Sequence, residues 1–353
     1  MFDHLRRAGV ATLPTPLERG PLLPSGDGGA VRLWCKRDDL TGLGGGGNKA
    51  RKLDFLVADA VAEGADTLVT VGAAQSNHCR MTAAAGARAG IEVHLVLSGD
   101  EPDRATGNQL LSRLFGAQLH FTGVDPRHWG ELEIAREQVV DELEHDDRQP
   151  YGIQVGGSSP LGAVAYAEAY IELLDQCAAH DVNLDYIVTT SSSGGTHAGL
   201  VAGRAIARAA GRATPRVIGI GVAEGVVAGL PDIGELARQA LDVLGATEVE
   251  VTPDDVVVDG RWLGDGYAIP TESGDRAIQW AAAHGGWLLD RTYSGKGLGA
   301  VLAMAADGEF GRGTDDTAGE ADEINVAFIH TGGWPALFAP GGVPDDAQVA
   351  SAS

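Results

Sequence analysis

The stretch LGGGGNKARKLDFLVADAVAEGADTLVTV (43–71) places four consecutive glycines before a single Asn-Lys pair. Apolar residues then recur at helical spacing over residues 51–64, and Gly64 is a natural helix end. The apolar run TLVTV (67–71) that follows is typical of a buried strand. A glycine-rich loop, a helix and a strand in this order predict the first unit of an alternating α/β chain.

The alternation continues to the end of the sequence and predicts two α/β lobes. Charged helical sequence fills 123–150, the segment 311–323 is a Gly/Asp-rich surface insertion, and residues 341–353 form a frayed tail. Ligands of such folds bind at the carboxyl ends of the strands. The further predicted helices are 81–90, 106–117 and 162–180, and the predicted strands are 67–71, 91–99, 118–123, 151–155, 185–190, 216–222, 249–253, 287–290 and 325–331.

Composition excludes several classes of protein. The 353 residues carry a net charge of −23, which repels phosphate backbones and argues against nucleic-acid binding. No run approaches the roughly 18 apolar residues of a membrane span, and the N-terminus has no signal-peptide core. We therefore expect a cytoplasmic protein, and the acidity together with only four lysines suggests adaptation to a high-salt cytoplasm.

The sequence contains no pattern that favours metal-dependent or hydrolase chemistry. The three cysteines are far apart, without a C-x-x-C pair, so neither a disulfide framework nor a zinc knuckle is expected. The ten histidines show no metal-binding spacing. A G-x-S-x-G nucleophile elbow is also missing.

Two predicted strands end in loops that suit anions. In TLVTVGAAQSNHCR (67–80), Ser76, Asn77 and His78 start a helix, where free N–H groups favour a carboxylate; a plain Ser/Asn N-cap is the alternative. In YIVTTSSSGGTHAGL (186–200), Ser193, Gly194, Gly195 and Thr196 suit a phosphate, and an ordinary turn is the alternative. This second loop lacks the dinucleotide fingerprint G-x-G-x-x-G.

A third region pairs aromatic and hydroxyl groups. Tyr293 and Ser294 in LLDRTYSGKGLGA (288–300) precede a helix, and Tyr267 opens YAIPTESG (267–274). Tyrosines in a cleft orient substrates or transfer protons, although both rings can equally be packed aromatics.

Lys49 follows the four glycines but fails the P-loop test, because GxxxxGK[ST] needs glycine before the lysine and Ser/Thr after it. Asn48 precedes Lys49 and Ala50 follows it. A lysine at a helix start, among glycines that admit a flat ligand, suits Schiff-base chemistry, since burial and the helix N-terminus lower its pKa. A Schiff-base lysine together with a phosphate-binding loop indicates pyridoxal 5′-phosphate (PLP).

These motifs resemble a known family. CKRDDLTGLGGGGNKARKLDFLVADAVAEGADTLVTVGAAQSNHCR (35–80), SSSGGTHAG, GDGYAIPTESG, LLDRTYSGKGLGAVL and FIHTGGWPALF occur in order along nearly the whole chain. They are similar to the D-cysteine desulfhydrase and 1-aminocyclopropane-1-carboxylate (ACC) deaminase family, PLP enzymes of the tryptophan-synthase-β class. The resemblance implies fold type II: an open, mostly parallel twisted sheet flanked by helices in each of two domains. The large domain would comprise 1–53 and 161–353, and the inserted small domain 54–160.

The resemblance also implies roles for the residues named above. Lys49 would hold PLP as a Schiff base, Asn77 would contact the ring hydroxyl, and Ser193 to Thr196 would hold the phosphate. Ser76, Asn77 and His78 would receive the substrate carboxylate, and Tyr267 and Tyr293 would face the substrate. A homodimer is expected, with a small amino acid as substrate.

Two positions distinguish the subfamilies by resemblance. ACC deaminases carry Glu where Ser294 stands and Leu where Thr331 stands, whereas desulfhydrases carry Ser or Thr and then Thr. A hydroxyl at Ser294 would leave the pyridine ring a weaker electron sink, adequate for loss of a thiolate. We therefore expect α,β-elimination of D-cysteine to pyruvate, ammonia and hydrogen sulfide. An L-cysteate sulfo-lyase, with His78 supplying a cationic contact to the sulfonate, an ACC deaminase and an inert PLP-binding protein are the alternatives.

Overall fold

The computed structural model describes residues 1–311 and 323–344. Helices and strands alternate along most of this length. In chain order the elements are β1 (Leu17–Pro24), β2 (Ala30–Lys36), α1 (Lys49–Glu63), β3 (Thr67–Gly72), α2 (Asn77–Ala89), β4 (Glu92–Leu97), α3 (Gly107–Leu114), β5 (Gln118–Phe121), α4 (Trp129–His145), β6 (Pro150–Ile153), α5 (Pro160–Ala179), β7 (Tyr186–Ser191), α6 (Gly195–Ala209), β8 (Arg216–Gly221), α7 (Glu224–Val227), α8 (Ile233–Val243), β9 (Val258–Asp259), α9 (Glu272–Gly285), α10 (Ser294–Ala306) and β10 (Ile324–Ile329).

The strands form two sheets. The larger has the order β1-β2-β10-β7-β8-β9, and the smaller β5-β4-β3-β6. Every pairing is parallel except the antiparallel hairpin of β1 with β2. The predicted α/β class of mostly parallel sheets flanked by helices is confirmed. All strands of the smaller sheet come from residues 67–153, while the division at 54–160 stays a prediction.

Helices cover both faces of each sheet and bury the apolar runs. On the larger sheet, α9 and α10 pack on one face and α5 and α6 on the other, with α8 packed on α5 and α6. On the smaller sheet, α1 and α2 cover one face, and α4 covers the other through Leu132. Strands of a sheet that is covered on both faces are continuous apolar runs in the sequence, which explains why the sequence pattern located β3 and β7 correctly.

The structure corrects three strand predictions. The β1–β2 hairpin was missed, because β1 is an edge strand containing prolines and half-exposed residues. Segment 249–253 is not a strand; Thr252 and Asp255 there form the capping box of a short 3₁₀ turn. Segment 287–290 also lies outside both sheets; Trp287 and Leu289 pack into the core of the larger one, whereas Leu288 is exposed.

A buried network of charged groups anchors α1. Arg51 donates to Asp38 at 3.0 Å and to Glu172 at 2.9 Å, and Lys36 also bonds Glu172. These contacts join β2, α1 and α5, so the first turn of α1 is held against the larger sheet.

The described residues also bear on membrane spans and metal sites. Within residues 1–311 and 323–344, no helix is long and apolar enough to cross a membrane, and no cluster of three or more His, Cys, Asp or Glu side chains could hold a metal ion. Most of the expected 311–323 insertion and the end of the tail lie outside the described residues.

Candidate active site

A cavity of about 450 Å³ lies where the carboxyl ends of β3 and β7 meet α1 and α10. It brings together most of the predicted site. Ser294 and Gly195 lie directly behind its wall, fully buried. The predicted residues that line it are Lys49, Ser76, Asn77, His78, Ser193, Gly194, Thr196, Tyr267, Tyr293 and Thr331.

Lys49 is the first residue of α1, and its side chain faces the cavity. Its Nζ donates to Asn48 Oδ1 at 3.2 Å, and Asn48 in turn donates to Thr196 Oγ1 at 3.0 Å. Burial lowers the pKa of Lys49 to about 8, although the nearby Asp290 carboxylate opposes this shift. An amine with this pKa is a nucleophile and base near neutral pH.

The four glycines have a structural role that the sequence analysis did not predict. None of Gly44 to Gly47 lines the cavity that the structure describes. All four have positive φ, and a Cβ at Gly46 would overlap the carbonyl oxygen of Asp39. They are required because the loop turns tightly against the chain before it.

Arg80 holds this loop in place and was missed by the sequence analysis. It is fully buried in α2 and donates to Gly44 O at 2.7 Å and to Gly46 O at 3.0 Å. Burial lowers the pKa of Arg80 to about 10, so the guanidinium remains charged at neutral pH. The Asn-Lys pair is therefore positioned by an arginine side chain of α2 that binds the backbone of the loop before it.

The predicted phosphate loop forms the N-terminus of α6. Ser193 Oγ accepts from Ser158 Oγ at 2.8 Å, and Ser158 Oγ also accepts from the Gly195 N–H at 3.2 Å. A Cβ at Gly195 would come within 2.8 Å of both Ser158 Oγ and Lys52 Nζ. Hydroxyls, first-turn N–H groups and a lysine thus converge on one small space, which suits an anion.

Lys52 is the second residue that the sequence analysis missed. Its Nζ is buried and donates to Gly156 O at 3.1 Å and to Ser158 Oγ at 3.4 Å. Burial lowers the pKa of Lys52 well below its usual range, and the charge of Lys49 lowers it further. No carboxylate among the described residues pairs with this amine, so an anion bound beside it would favour its charged form. Its spacing of three from Lys49 puts both on one helix face, a signal present in the sequence.

The N-terminus of α2 forms the opposite wall. Ser76 caps the helix by accepting from Cys79 N at 3.1 Å, and Asn77 and His78 are in the first turn, whose N–H groups have no intrahelical acceptor. Asn77 Oδ1 accepts from Asn108 Nδ2 at 2.9 Å, which turns its amide N–H₂ into a donor toward the cavity. These donors suit a carboxylate and a ring oxygen.

The His78 ring does not have the cationic character expected for sulfonate binding. Its Nε2 lies 2.8 Å from Thr70 Oγ1, whose own proton goes to Ile153 O. Nε2 therefore carries the ring proton, and Nδ1 has none. Burial lowers the pKa of His78 well below its usual range, so the ring is neutral at pH 7.

Tyr267 and Tyr293 form a hydrogen-bonded pair in the cavity wall. Burial raises the pKa of both phenols, so they stay protonated. One hydroxyl proton joins the two rings and the other is available to a ligand. Trp129 of α4 contacts Tyr267 edge-on, with ring centroids 5.2 Å apart. The sequence did not reveal this tryptophan as part of the site.

Thr331 lies in the cavity wall, and Ser294 is buried behind it. The Thr331 carbonyl accepts from Asn48 N at 3.0 Å. Ser294 Oγ lies 3.0 Å from Gly332 O, the residue after Thr331. The two positions that distinguish the subfamilies are thus adjacent in space.

These residues fit PLP. A phosphate would meet a helix N-terminus and the buried amine of Lys52, whose charged form it would favour, and Lys49 offers an amine of lowered pKa to the aldehyde. Lys52, Ser193, Gly194, Gly195 and Thr196 would hold the phosphate.

Comparisons with known proteins agree with this fit. A family model of pyridoxal-phosphate dependent enzymes matches residues 10–330. The solved structure of an ACC deaminase homologue is 32% identical with a TM-score of 0.80, over 96% of this chain and 95% of that chain.

More distant structures share the fold alone. O-ureido-L-serine synthase is 18% identical with a TM-score of 0.59, over 92% of this chain and 90% of that one. A hydrogen sulfide-producing enzyme from Fusobacterium nucleatum is 12% identical with a TM-score of 0.58, over 92% and 94%. The chain therefore belongs to the pyridoxal-phosphate dependent enzymes, and its cofactor is pyridoxal 5′-phosphate.

Proposed function

We propose that this protein catalyses α,β-elimination on D-cysteine, with water, to give pyruvate, ammonia and hydrogen sulfide. The observation that carries the proposal is Lys49, an amine of pKa about 8 that shares its cavity with helix-terminal donors and a tyrosine pair. Bound PLP supplies an electron sink for the bond that breaks at Cα. The D configuration and the thiol follow the family resemblance at Ser294 and Thr331.

Each residue has a task that its geometry supports. The first-turn N–H groups of α2 and the Asn77 amide bind and orient the substrate carboxylate. Lys49 Nζ takes the Cα proton, because its lowered pKa leaves a basic amine near neutral pH. The free proton of the Tyr267–Tyr293 pair hydrogen-bonds the departing sulfur, which leaves as hydrosulfide. Trp129 restricts water at the cavity wall.

The charges of the cavity disfavour a sulfonate substrate such as L-cysteate. Among the described lining residues, the basic side chains other than histidine are Lys49, which the cofactor would engage, and Arg136. Arg136 Nε donates to Glu133 at 2.7 Å, and Glu137 lies beside it at 3.4 Å. With His78 neutral, no lining cation is left for a sulfonate, and burying one unpaired would be costly.

ACC deaminase is the second candidate, favoured by the 32% identity to an ACC deaminase homologue. The experiment is a product assay with D-cysteine, L-cysteine, β-chloro-D-alanine, L-cysteate and ACC, run on the wild type and on Lys49→Ala. We expect pyruvate and sulfide from D-cysteine and none from Lys49→Ala. Normal pyruvate production by Lys49→Ala, or 2-oxobutyrate from ACC as the main product, would overturn the proposal.

Failure of every substrate in this panel, by a protein that binds PLP, would instead support an inert binding protein. A homodimer and a high-salt origin stay predictions that do not enter the mechanism.

A further inference from the structure

Lys296 is a buried lysine that has no part in the reaction proposed above. It is one of only four lysines in the chain, and it lies fully buried in the first turn of α10. Its Nζ donates to Leu263 O at 2.6 Å and to Gly266 O at 3.2 Å. Burial lowers the pKa of Lys296, so an apolar side chain of similar length would cost less to bury here. The two carbonyl contacts therefore explain the amine best.

Both carbonyls belong to residues 263–267, the Tyr267 loop, which leads to Tyr267 and forms neither helix nor strand. The backbone N–H of Tyr267 donates to Glu224 Oε1 at 3.1 Å. Glu224 is the first residue of α7, and a Cβ at Gly266 would lie 2.8 Å from its Oε1. The Tyr267 loop is thus held by side chains of two helices, α10 and α7.

The helix that carries Lys296 also carries the second phenol of the cavity. Tyr293 is the N-cap of α10 and precedes Lys296 by three residues, which is close to one helical turn. The hydroxyl of Tyr293 hydrogen-bonds that of Tyr267. Lys296 therefore joins the helix that follows Tyr293 to the loop that precedes Tyr267, and the separation of the two phenols depends on this connection.

The backbone beside Tyr267 is strained and needs contacts that hold it. Ala268 has a φ of 61°, in the left-handed region, which is unfavourable for a residue with a Cβ. Such a conformation persists only where the surrounding structure imposes it. Gly266 O, which accepts from Lys296, also accepts from Ile269 N at 3.3 Å. The turn around Ala268 thus closes on a carbonyl that the lysine holds.

We propose that Lys296 and Glu224 are positioning residues that hold the Tyr267 loop against α10 and so set the hydrogen bond between Tyr267 and Tyr293. Neither Lys296 nor Glu224 lines the cavity that the structure describes, so both act through the Tyr267 hydroxyl. The effect of these residues on turnover rests on the proposed function, in which the tyrosine pair donates to the departing sulfur. Their effect on the geometry of the pair does not rest on it.

The first test observes the phenols in the PLP-bound protein without substrate. The six tyrosines are replaced by 3-fluorotyrosine, and the variants Tyr267→Phe and Tyr293→Phe identify the two ¹⁹F resonances of the pair. We expect both resonances to shift in Lys296→Met, because the Tyr267 loop loses two hydrogen bonds. The resonances of the other four tyrosines should stay in place.

Glu224 offers a variant that leaves the core intact, because its side chain is exposed. Glu224→Ala removes the acceptor of the Tyr267 N–H and should shift the same two resonances, whereas Glu224→Gln keeps an oxygen there and should stay closer to the wild type. Arg261→Met is the matched control. Arg261 lies just before the Tyr267 loop but bonds Asp259 and Glu309, so its removal should leave the spectrum unchanged.

The second test measures the turnover of D-cysteine. Lys296→Met should lower kcat by about 10- to 100-fold, because a small misplacement of a reacting group can cost about 100-fold. KM should stay close to that of the wild type, since the substrate carboxylate is bound at α2. In the Tyr267→Phe background, Lys296→Met should lower kcat no further, because both changes act through the same hydroxyl.

Unchanged resonances of the pair in both Lys296→Met and Glu224→Ala would overturn the proposal, whichever substrate the enzyme uses. A further loss of kcat when Lys296→Met is added to Tyr267→Phe would also overturn it. If D-cysteine is not a substrate but the resonances shift as expected, the proposed function fails and the positioning role is supported.

Discussion

Replacing Lys52 by methionine should weaken the binding of PLP and should stabilise the cofactor-free protein at neutral pH. Met has a similar length but no ionisable group, so it removes a buried amine whose partners are Gly156 O and Ser158 Oγ. The phosphate of PLP would lose a charge-assisted hydrogen bond worth roughly 1.5–3 kcal/mol. That free energy corresponds to about 10- to 150-fold weaker binding of PLP.

The cofactor-free protein should gain stability at neutral pH from the same change. Lys52 has a depressed pKa in the folded state and a pKa of about 10.4 when unfolded. Between these values the unfolded state binds more protons, so wild-type stability rises with pH by up to about 1.4 kcal/mol per unit. The variant lacks this contribution. It should be more stable than the wild type at pH 7, and the difference should shrink as the pH approaches 10.

Above that pH the sign should reverse, because Gly156 O has lost a donor worth about 1 kcal/mol. The assays are urea unfolding of cofactor-free protein from pH 7 to 10.5 and titration with PLP and with pyridoxal, which lacks the phosphate. Lys296→Met is the control, because Lys296 is also buried but donates to Leu263 O and Gly266 O, away from the phosphate loop.

The reasoning would be refuted if Lys52→Met bound PLP as tightly as the wild type and kept the same preference for PLP over pyridoxal. An equal loss of PLP affinity in Lys296→Met would also refute it.

The other predictions concern the glycine loop, its support and the acidic surface. Arg80→Met should lower the free energy of unfolding by about 3 kcal/mol, since three acceptors lose bonds of about 1 kcal/mol each; an unchanged urea midpoint would contradict this. Gly46→Ala should lower the free energy of unfolding by at least about 3 kcal/mol, because Gly46 has a positive φ and an added Cβ would overlap Asp39. Gly9 also has a positive φ but lies in open space, so Gly9→Ala should lower it by about 1–2 kcal/mol. Equal melting temperatures for these two variants would rule out the packing role. Because the net charge is −23, added KCl should raise the melting temperature by screening self-repulsion, and a flat dependence would argue against the high-salt interpretation.

The order of helices and strands was readable because both sheets are covered on two faces, so their strands are continuous apolar runs. The loops after β3 and β7 were found for the same reason: polar residues follow directly after each buried strand. Strand-ending position and side-chain chemistry together located Ser76, Asn77 and the Ser193–Thr196 segment.

The features that hydrophobic periodicity could not predict depend on tertiary packing. The purpose of the four glycines follows from the position of Asp39 and the reach of Arg80 from another helix. Trp129 comes to the cavity only because α4 crosses the smaller sheet. The neutrality of His78 depends on its burial, and the position of its ring proton depends on a hydrogen bond to Thr70 of the preceding strand.

The most direct test of the account is to locate the lysine that bonds the cofactor. Sodium borohydride reduces the bond between a lysine nitrogen and the aldehyde carbon of PLP to a stable link, and peptide mass spectrometry then identifies the residue. We predict one pyridoxyl group per chain, on Lys49, and none in Lys49→Ala. A label on Lys52 or Lys296 of the wild-type protein, or none after saturation with PLP, would contradict the account.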